Sequence, residues 1–372
     1  MADAVNPIFV AIVLAFVLAV PASARTAGPS PEAVVNRGVV ELETGRAAGI
    51  SVRIAEDLAN VVDDGATRRV LPVIGAGTWQ NLTDLKLLRG IDMAIVQADV
   101  LDYARQQNLY PGIENWLTYI AKLYNEEFHL LAGGNIKSVH DLANKKVNVD
   151  LRGAGTETTA ARLFELLQIP VVATNDDQEV ALEKLRRGEI AAMAFVTGKP
   201  APIFRDLLGD GGLHFLSIPL NSAVTGAYAP ARLTAEDYPG LIQYNQPVDT
   251  VAVGAVLAAA NLQAPSERYR NLANFVNAFF TGFQSLLQPG HHPKWHEVNI
   301  ATELPGWRRF PPAADWLQRN APAVASKPED LKAIFTRFLD ERQQAAGGTP
   351  LSQQQKDQLF GQFQAWQKGQ AH

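Results

Sequence analysis

Arg69-Val70-Leu71-Pro72-Val73-Ile74-Gly75-Ala76-Gly77-Thr78 carries a pattern that recurs later in the chain. There Lys146-Val147-Asn148-Val149 runs through Asp150-Leu151-Arg152 into Gly153-Ala154-Gly155-Thr156. Each copy is an apolar, β-prone run, a Gly-Ala-Gly-Thr turn and then an amphipathic run. A strand that turns through glycines into a Thr-capped helix leaves the first backbone N–H groups of that helix unpaired, and the helix dipole favours an anion there. Two such units predict two similar lobes whose turns face one another across a cleft, and a small, anionic guest between them. The competing reading is that a tetrapeptide of common residues makes ordinary loops.

Working outward, the pattern of strand, turn and helix continues on both sides. Val39 to Glu43 reads as a strand and Thr44-Gly45-Arg46-Ala47-Ala48-Gly49 as a turn, with a helix to Val62 carrying Ile54, Leu58 and Val61 on one face. A helix over 79–89 follows the first Gly-Ala-Gly-Thr, and Ile91 to Val96 makes a buried strand ending in Gln97-Ala98-Asp99. After the second copy comes a helix with Ala161, Phe164 and Leu167, then Leu182 to Arg187 closed by Gly188. Strand Ile190 to Val196 leads into Thr197-Gly198-Lys199-Pro200. This order predicts a mostly parallel α/β sheet with helices on both faces. Glu127 to Leu131 and Asp249 to Gly254 are the apolar segments expected to cross between lobes as a hinge.

The expected organisation is therefore a signal peptide (1–24), a linker (25–38), lobe 1 (39–127 with 251–320), lobe 2 (128–250) and a helical C-terminal extension (321–372). Residues 265–320 read as helical and returning to lobe 1. In the extension, Ser326-x-x-Glu329 is a capping box for a helix through Leu339, and a last helix after Pro350 sets Leu359, Phe360, Phe363 and Trp366 on one face.

Composition narrows the function. The 372 residues are 47% hydrophobic and 19% charged with a net charge of −5, which fits a globular protein and gives no basic stripe for nucleic acid. The absence of cysteine removes disulfides, thiolate metal sites, cysteine nucleophiles and a lipid anchor. Ile8 to Val20 is unbroken apolar sequence followed by Pro21-Ala22-Ser23-Ala24, which predicts export with cleavage after Ala24. No Lys or Arg precedes that run and Asp3 is acidic, so an uncut tether is the alternative. No Gly-x-Ser-x-Gly or P-loop appears, and no cofactor is expected.

Several stretches taken together resemble the TAXI family, the extracytoplasmic solute-binding proteins of TRAP transporters. They are Thr44-Gly45 with Gly49, Arg89 to Asp92, Ala94 to Asp99, Asp141 to Val149, Gly153 to Thr156, Leu185 to Gly188, and Thr197 to Pro200. The resemblance implies a two-lobed type II periplasmic-binding-protein fold, a periplasmic receptor without enzymatic activity, and delivery of a small carboxylate or amino acid to TRAP permease membrane subunits. It also implies ligand contacts at Thr44, Gly45 and Gly49, at Gln97, Ala98 and Asp99, and at Gly153, Gly155, Thr156 and Glu157, with Thr197 and Gly198 contributing. Many members carry an aromatic pair after the first-loop glycine; this chain has Gly49-Ile50-Ser51-Val52, which alters the pocket wall.

Other candidates come from the residues themselves. Arg152 before the second turn is placed to hold a carboxylate, and Lys199 to add a point charge. Asp99 and Glu157 suit an ammonium group or simply a helix start. Tyr119 and Tyr228 either bracket a ligand or sit in the core. His291, His292 and His296 beside Trp295 lack carboxylate partners at metal-ligand spacing and read as an exposed loop. The rival functions are a receptor for an ABC importer or a sensor kinase, an enzyme on the same two-lobed scaffold using Asp99 or Glu157, and a tethered interaction protein acting through its tail.

Overall fold

One ten-stranded sheet runs through residues 39–260, and its order divides that region into matching halves. The structure is a computed structural model describing residues 37–208, 212–320, 336 and 352–369, with the backbone alone for 362–369. In the first half β1 (Val39–Thr44), α1 (Ser51–Val62), β2 (Arg69–Ile74), α2 (Thr78–Leu87), β3 (Ile91–Gln97) and α3 (Ala98–Gln106) follow in sequence. In the second half β5 (Lys146–Asn148), α4 (Gly155–Leu166), β6 (Val172–Thr174), α5 (Gln178–Arg186) and β7 (Ala192–Thr197) do the same. Between and after them lie β4 (Leu117–Ala132), β8 (His214–Phe215), β9 (Ala229–Leu233) and β10 (Val248–Ala260).

The sheet order is β2-β1-β3-β10-β4-β7-β5-β6, with β8 on β4 and β9 on β10. Each outer trio is parallel, and in each the first strand lies in the middle with the second and third on either side. The two central strands run antiparallel to their neighbours. The chain therefore folds as the two-lobed α/β periplasmic-binding-protein type. The expected crossing segments are parts of β4 and β10, so the hinge is two long central strands shared by both lobes. Glu127 marks the passage, facing Ala252 on one side and Thr197 on the other.

Helices cover both faces of each half because the apolar periods match the elements. Ile54, Leu58 and Val62 of α1 are fully buried, with Val61 at the edge of the stripe. They pack with Phe275 and Phe279 of α6 (Glu267–Thr281) and with Trp295 and Phe310. Each such side chain contributes roughly 1.5–3 kcal/mol by leaving water. Leu82 and Leu85 of α2 cover the opposite face, and lobe 2 has its own pair of cores. β2 and β6 form the edges of this order, where Pro72 leaves no central ladder unpaired.

The stretch 265–320 is less helical than expected. After α6 comes a single turn at Phe283–Leu286, a 3-10 turn at Pro293–Glu297 and α7 (Pro311–Arg319), with the intervening chain irregular. Proline and glycine between residues 289 and 312 interrupt the helical ladder. α8 (Gln353–Gly369) is the last described helix, with Phe360 buried and Leu359 half-buried. The expected signal peptide (1–24), nearly all of the linker (25–38) and the capping box at Ser326 with Glu329 lie outside the described residues.

Candidate functional site

The cleft opens at the carboxyl ends of both parallel trios. In a trio ordered second-first-third, the loops leaving the first and third strands part in opposite directions and leave a crevice. Here two such crevices face each other over the central strands. One cavity of about 70 Å³, measured as space for the centres of water-sized groups, lies between them.

Lobe 1 lines it with Gly45, Arg46, Gly49 and Ser51 after β1, with Ala76 to Thr78 after β2, and with Ile95 to Gln97 at the end of β3. Lobe 2 answers with Asp150 and Ala154 to Thr156 after β5, Asp177 and Gln178 after β6, and Phe195 to Thr197 at the end of β7. Glu126 reaches in from the central strand β4. Strand alternation explains why Glu126 faces the cleft while its neighbour Glu127 turns to Lys294 at 2.6 Å.

The two threonines behave alike, and not as expected. Thr78 does not cap α2: Gly77 occupies that position, and the Thr78 hydroxyl accepts the backbone N–H of Gln97 at 3.3 Å. Thr156 does not cap α4: Ala154 does so in position, and the Thr156 hydroxyl accepts the N–H of Val196 at 3.1 Å. Each threonine thus ties its helix start to the third strand of its own lobe. The consequence is that α1, α2 and α4 begin at the cavity with no side chain bonded to their first N–H groups. By contrast Asp177 caps α5 and Ser266 caps α6. Asn81 braces the lobe 1 side, donating to the carbonyls of Thr44 and Ile95 at 3.0 Å each.

The lobes are drawn together around this cavity. Arg46 pairs with Asp177 at 2.8 Å, and the N–H of Ile50 donates to Thr197 Oγ1 at 3.3 Å. Trp79 Nε1 donates to Thr158 Oγ1 at 2.9 Å, and Thr159 Oγ1 donates to Asp99 at 2.6 Å. Gly155 and Gly77 make the contact possible. A Cβ at Gly155 collides with Gln97 Oε1, and one at Gly77 lies 3.2 Å from Ala154 Cα.

The sequence candidates divide into two groups. Gly45, Gly49, Gln97, Gly155, Thr156 and Thr197 line the cavity. Thr44 is buried behind it, its hydroxyl spent on the carbonyls of Gly45 and Val73. Ala98 and Asp99 lie just behind the lining, with Asp99 held by Thr159 and the N–H of Val100. Gly153 and Glu157 bond to each other, N–H to carboxylate, at 2.9 Å, and Glu157 also accepts from Asn175. Gly198 backs onto Ile50 and Tyr124, and Arg152 is exposed outside the lining. Lys199 turns away to Asp237 and the Arg232 carbonyl.

Tyr119 and Tyr228 are core residues, Tyr119 beneath the Arg309 guanidinium at 4.6 Å. His296 is exposed as expected, but His291 and His292 are half-buried and the segment is anchored rather than a free loop. Trp295 is fully buried, and its ring N–H joins His291 and the His292 backbone on the buried carboxylate of Asp57. Burial pushes His292 down to about 4. Among the described residues no group of three or more His, Asp or Glu is placed to hold a metal.

Sequence reasoning missed Glu126, Asp150, Asp177, Gln178 and Phe195. Two adjacent acids, Glu126-Glu127, inside the long strand β4 are the signal for Glu126, since burying carboxyls is costly. Phe195 supplies an aromatic wall from lobe 2 where the first loop has only Ile50-Ser51. Burial raises Glu126 to about 7, helped by the nearby Asp99 and Glu127. Burial likewise raises Asp99 to about 6 and pushes Asp150 upward.

Among the described residues no helix is long and apolar enough to cross a membrane. Solved structures similar to this one include a periplasmic binding protein named BugD, 14% identical, covering 77% of this chain and 95% of that one with a TM-score of 0.47. An ancestral arginine-binding protein bound to arginine is 13% identical over 70% of this chain and 97% of that one, TM-score 0.42. A TctC solute binding protein from Polaromonas is 12% identical over 66% and 88%, TM-score 0.37. A family model, the NMT1-like family, matches residues 43–276, a span holding every cavity-lining residue. This chain belongs to the NMT1-like family.

Proposed function

We propose that this protein is an extracytoplasmic solute receptor that captures a small anionic or zwitterionic organic molecule between two lobes and hands it to a membrane permease. The lobes in this reading are residues 39–127 with 251–320, and 128–250. One observation carries it: uncapped helix starts from both lobes open onto the same cavity. Backbone N–H groups there are fixed donors for a carboxylate, and Arg46 adds a charge beside them. A guest touching both lobes favours the closed arrangement, because only differential contacts shift such an equilibrium. Closure removes water and strengthens each hydrogen bond to the guest.

The partner in this reading is a TRAP-type permease, on the strength of the TAXI-like motifs from Thr44 to Pro200. The location is periplasmic, on the strength of the apolar segment Ile8 to Val20 with Ala22-x-Ala24. The test is native mass spectrometry of the protein from its own host, followed by thermal-shift screening of carboxylates and amino acids. A specific ligand raises Tm with the logarithm of its concentration over Kd and is recovered unchanged. No stabilisation by any compound, or chemical turnover of one, contradicts the receptor.

A further inference from the structure

The strand that carries the chain from one half to the other is interrupted just before the crossing. Between Lys122 and Asn125, β4 takes three steps where the facing β10, from Val256 to Gly254, takes two. This is a β-bulge, which sharpens the local twist and leaves a residue unpaired in the ladder. The Asn125 N–H donates to Glu297 at 3.1 Å, and its side chain accepts Lys122 Nζ at 2.5 Å. The Lys122 stem lies over Gly254, where a Cβ would stand 3.0 Å from its Cε. Two residues beyond Asn125, Glu127 is 4% exposed, and its oxygens have partners in different halves. Oε1 accepts Lys294 Nζ at 2.6 Å, from the 3-10 turn that Trp295 pins into the core of lobe 1. Oε2 accepts the N–H of Lys199 at 2.9 Å, just past β7 of lobe 2.

The charges at this crossing are matched locally. Lys294, 3% exposed, pairs with Glu297 at 2.7 Å as well as with Glu127, and Lys122 stands beside all three. Burial pushes Glu127 upward and Lys122 downward, as happens to charges drawn out of water. A buried pair that loses one partner leaves an uncompensated charge, which is strongly destabilising. Rotation of lobe 2 about the bulge removes one donor in this way: it draws the Lys199 N–H from Oε2 while Lys294 stays with lobe 1. Lys199 moves with lobe 2 because its Nζ is held by Asp237 and the Arg232 carbonyl. Neither Glu127 nor Lys294 lines the cavity. We propose that Glu127 and Lys294 clamp the crossing of β4, favour the closed arrangement from outside the cavity, and so set the affinity for a guest they do not touch. The affinity part rests on the receptor reading above, because apparent affinity falls with the fraction of protein in the binding-competent state.

The test is small-angle X-ray scattering of the protein with no compound added, beside thermal melts of the same samples. Lys294→Met raises the radius of gyration, because the stranded Glu127 carboxylate opens the crossing to water. Glu127→Leu combined with Lys294→Met replaces the pair by apolar groups; it recovers most of the lost Tm yet keeps the larger radius, because the clamp is gone. Calorimetry with whichever carboxylate or amino acid most stabilises the parent then shows affinity about tenfold lower or more in the double variant, with every lining residue intact. A radius equal to the parent's in the folded variants overturns the inference. So does a radius that returns to the parent's value together with Tm in the double variant, which makes the pair structural only. No stabilisation by any compound of the panel overturns the receptor reading and the affinity part with it, while the scattering still decides the clamp without a guest.

Discussion

The two Gly-Ala-Gly-Thr turns are identical in sequence and one residue out of step in structure. In the first, α2 begins at Thr78 with Gly77 before it at a φ of 126°. In the second, α4 begins at Gly155 with Ala154 before it, and Gly153 takes the left-handed φ of 81°. The step decides what each glycine does. Gly75 and Gly77 serve the inside of lobe 1 and its contact with the other turn; Gly155 serves the close approach of Gln97 across the cleft. What the copies share is the threonine tied to the third strand, so the common function is to leave a helix start open, not to repeat a conformation.

That contrast is open to breakage at four points, taken from the largest effect to the smallest. A Cβ at Gly75 meets the Thr44 carbonyl at 2.6 Å and the bracing Asn81, neither free to move, so Gly75→Ala lowers unfolding free energy by about 3 kcal/mol in urea titration. Equal losses at Gly75 and Gly153 sink the distinction, because a Cβ at Gly153 meets only Trp79 Cβ at an ordinary 3.9 Å and loses only its positive φ. Gly77→Ala costs about 2 kcal/mol through its φ and the neighbouring Ala154. Gly155→Ala acts mainly on binding: it displaces Gln97 from Glu126, and calorimetry shows ligand affinity about tenfold lower with a smaller change in Tm. A loss of stability without a loss of affinity there contradicts the account.

The pH response rests on buried carboxyls of the first half and of β4. Glu126 is raised to about 7, Asp99 to about 6, and Glu43, near Asp84, to about 8, all mainly by burial. A carboxyl raised above its unfolded value binds its proton more tightly in the native state, so the stability it lends is complete below about pH 4 and is lost as pH climbs through the native value. The ligand-free protein therefore loses Tm between about pH 5 and 8. Glu126→Gln removes the part of that slope centred near 7. The groups facing Glu126 are Gln97, Tyr124, Asp99, Glu127 and the more distant Lys294, so its titration is not that of an isolated acid. A Tm that rises with pH over this range contradicts these assignments. Smallest of all, Gly153→Ala costs about 1 kcal/mol by forcing a side chain into the left-handed region.

Much of the fold was legible because its signals are local. The apolar run of 69–74, the glycines after it and the Ile54-Leu58 stripe each dictate an element without reference to the rest of the chain. The pairing of β4 with β10 into one hinge was legible only as two apolar segments, since antiparallel neighbours far apart in sequence leave no local mark. At the site the glycines and Gln97 were readable from the turns. Arg46 sat inside a quoted turn, yet nothing local marks its partner Asp177 on the other lobe. Arg152 and Lys199 drew attention as charges beside turns, but a side chain's direction depends on what surrounds it: one faces solvent, and the other meets Asp237. The histidines misled for a similar reason, because the buried carboxylate that organises that segment, Asp57, lies on α1.

Amide hydrogen exchange with and without the ligand chosen by thermal-shift screening tests the central idea most directly. The backbone N–H groups of residues 78–80 and 155–157, at the first turns of α2 and α4, are predicted to slow together at a single binding stoichiometry. Protection confined to one of these turns, or found in neither, would contradict a guest gripped from both lobes.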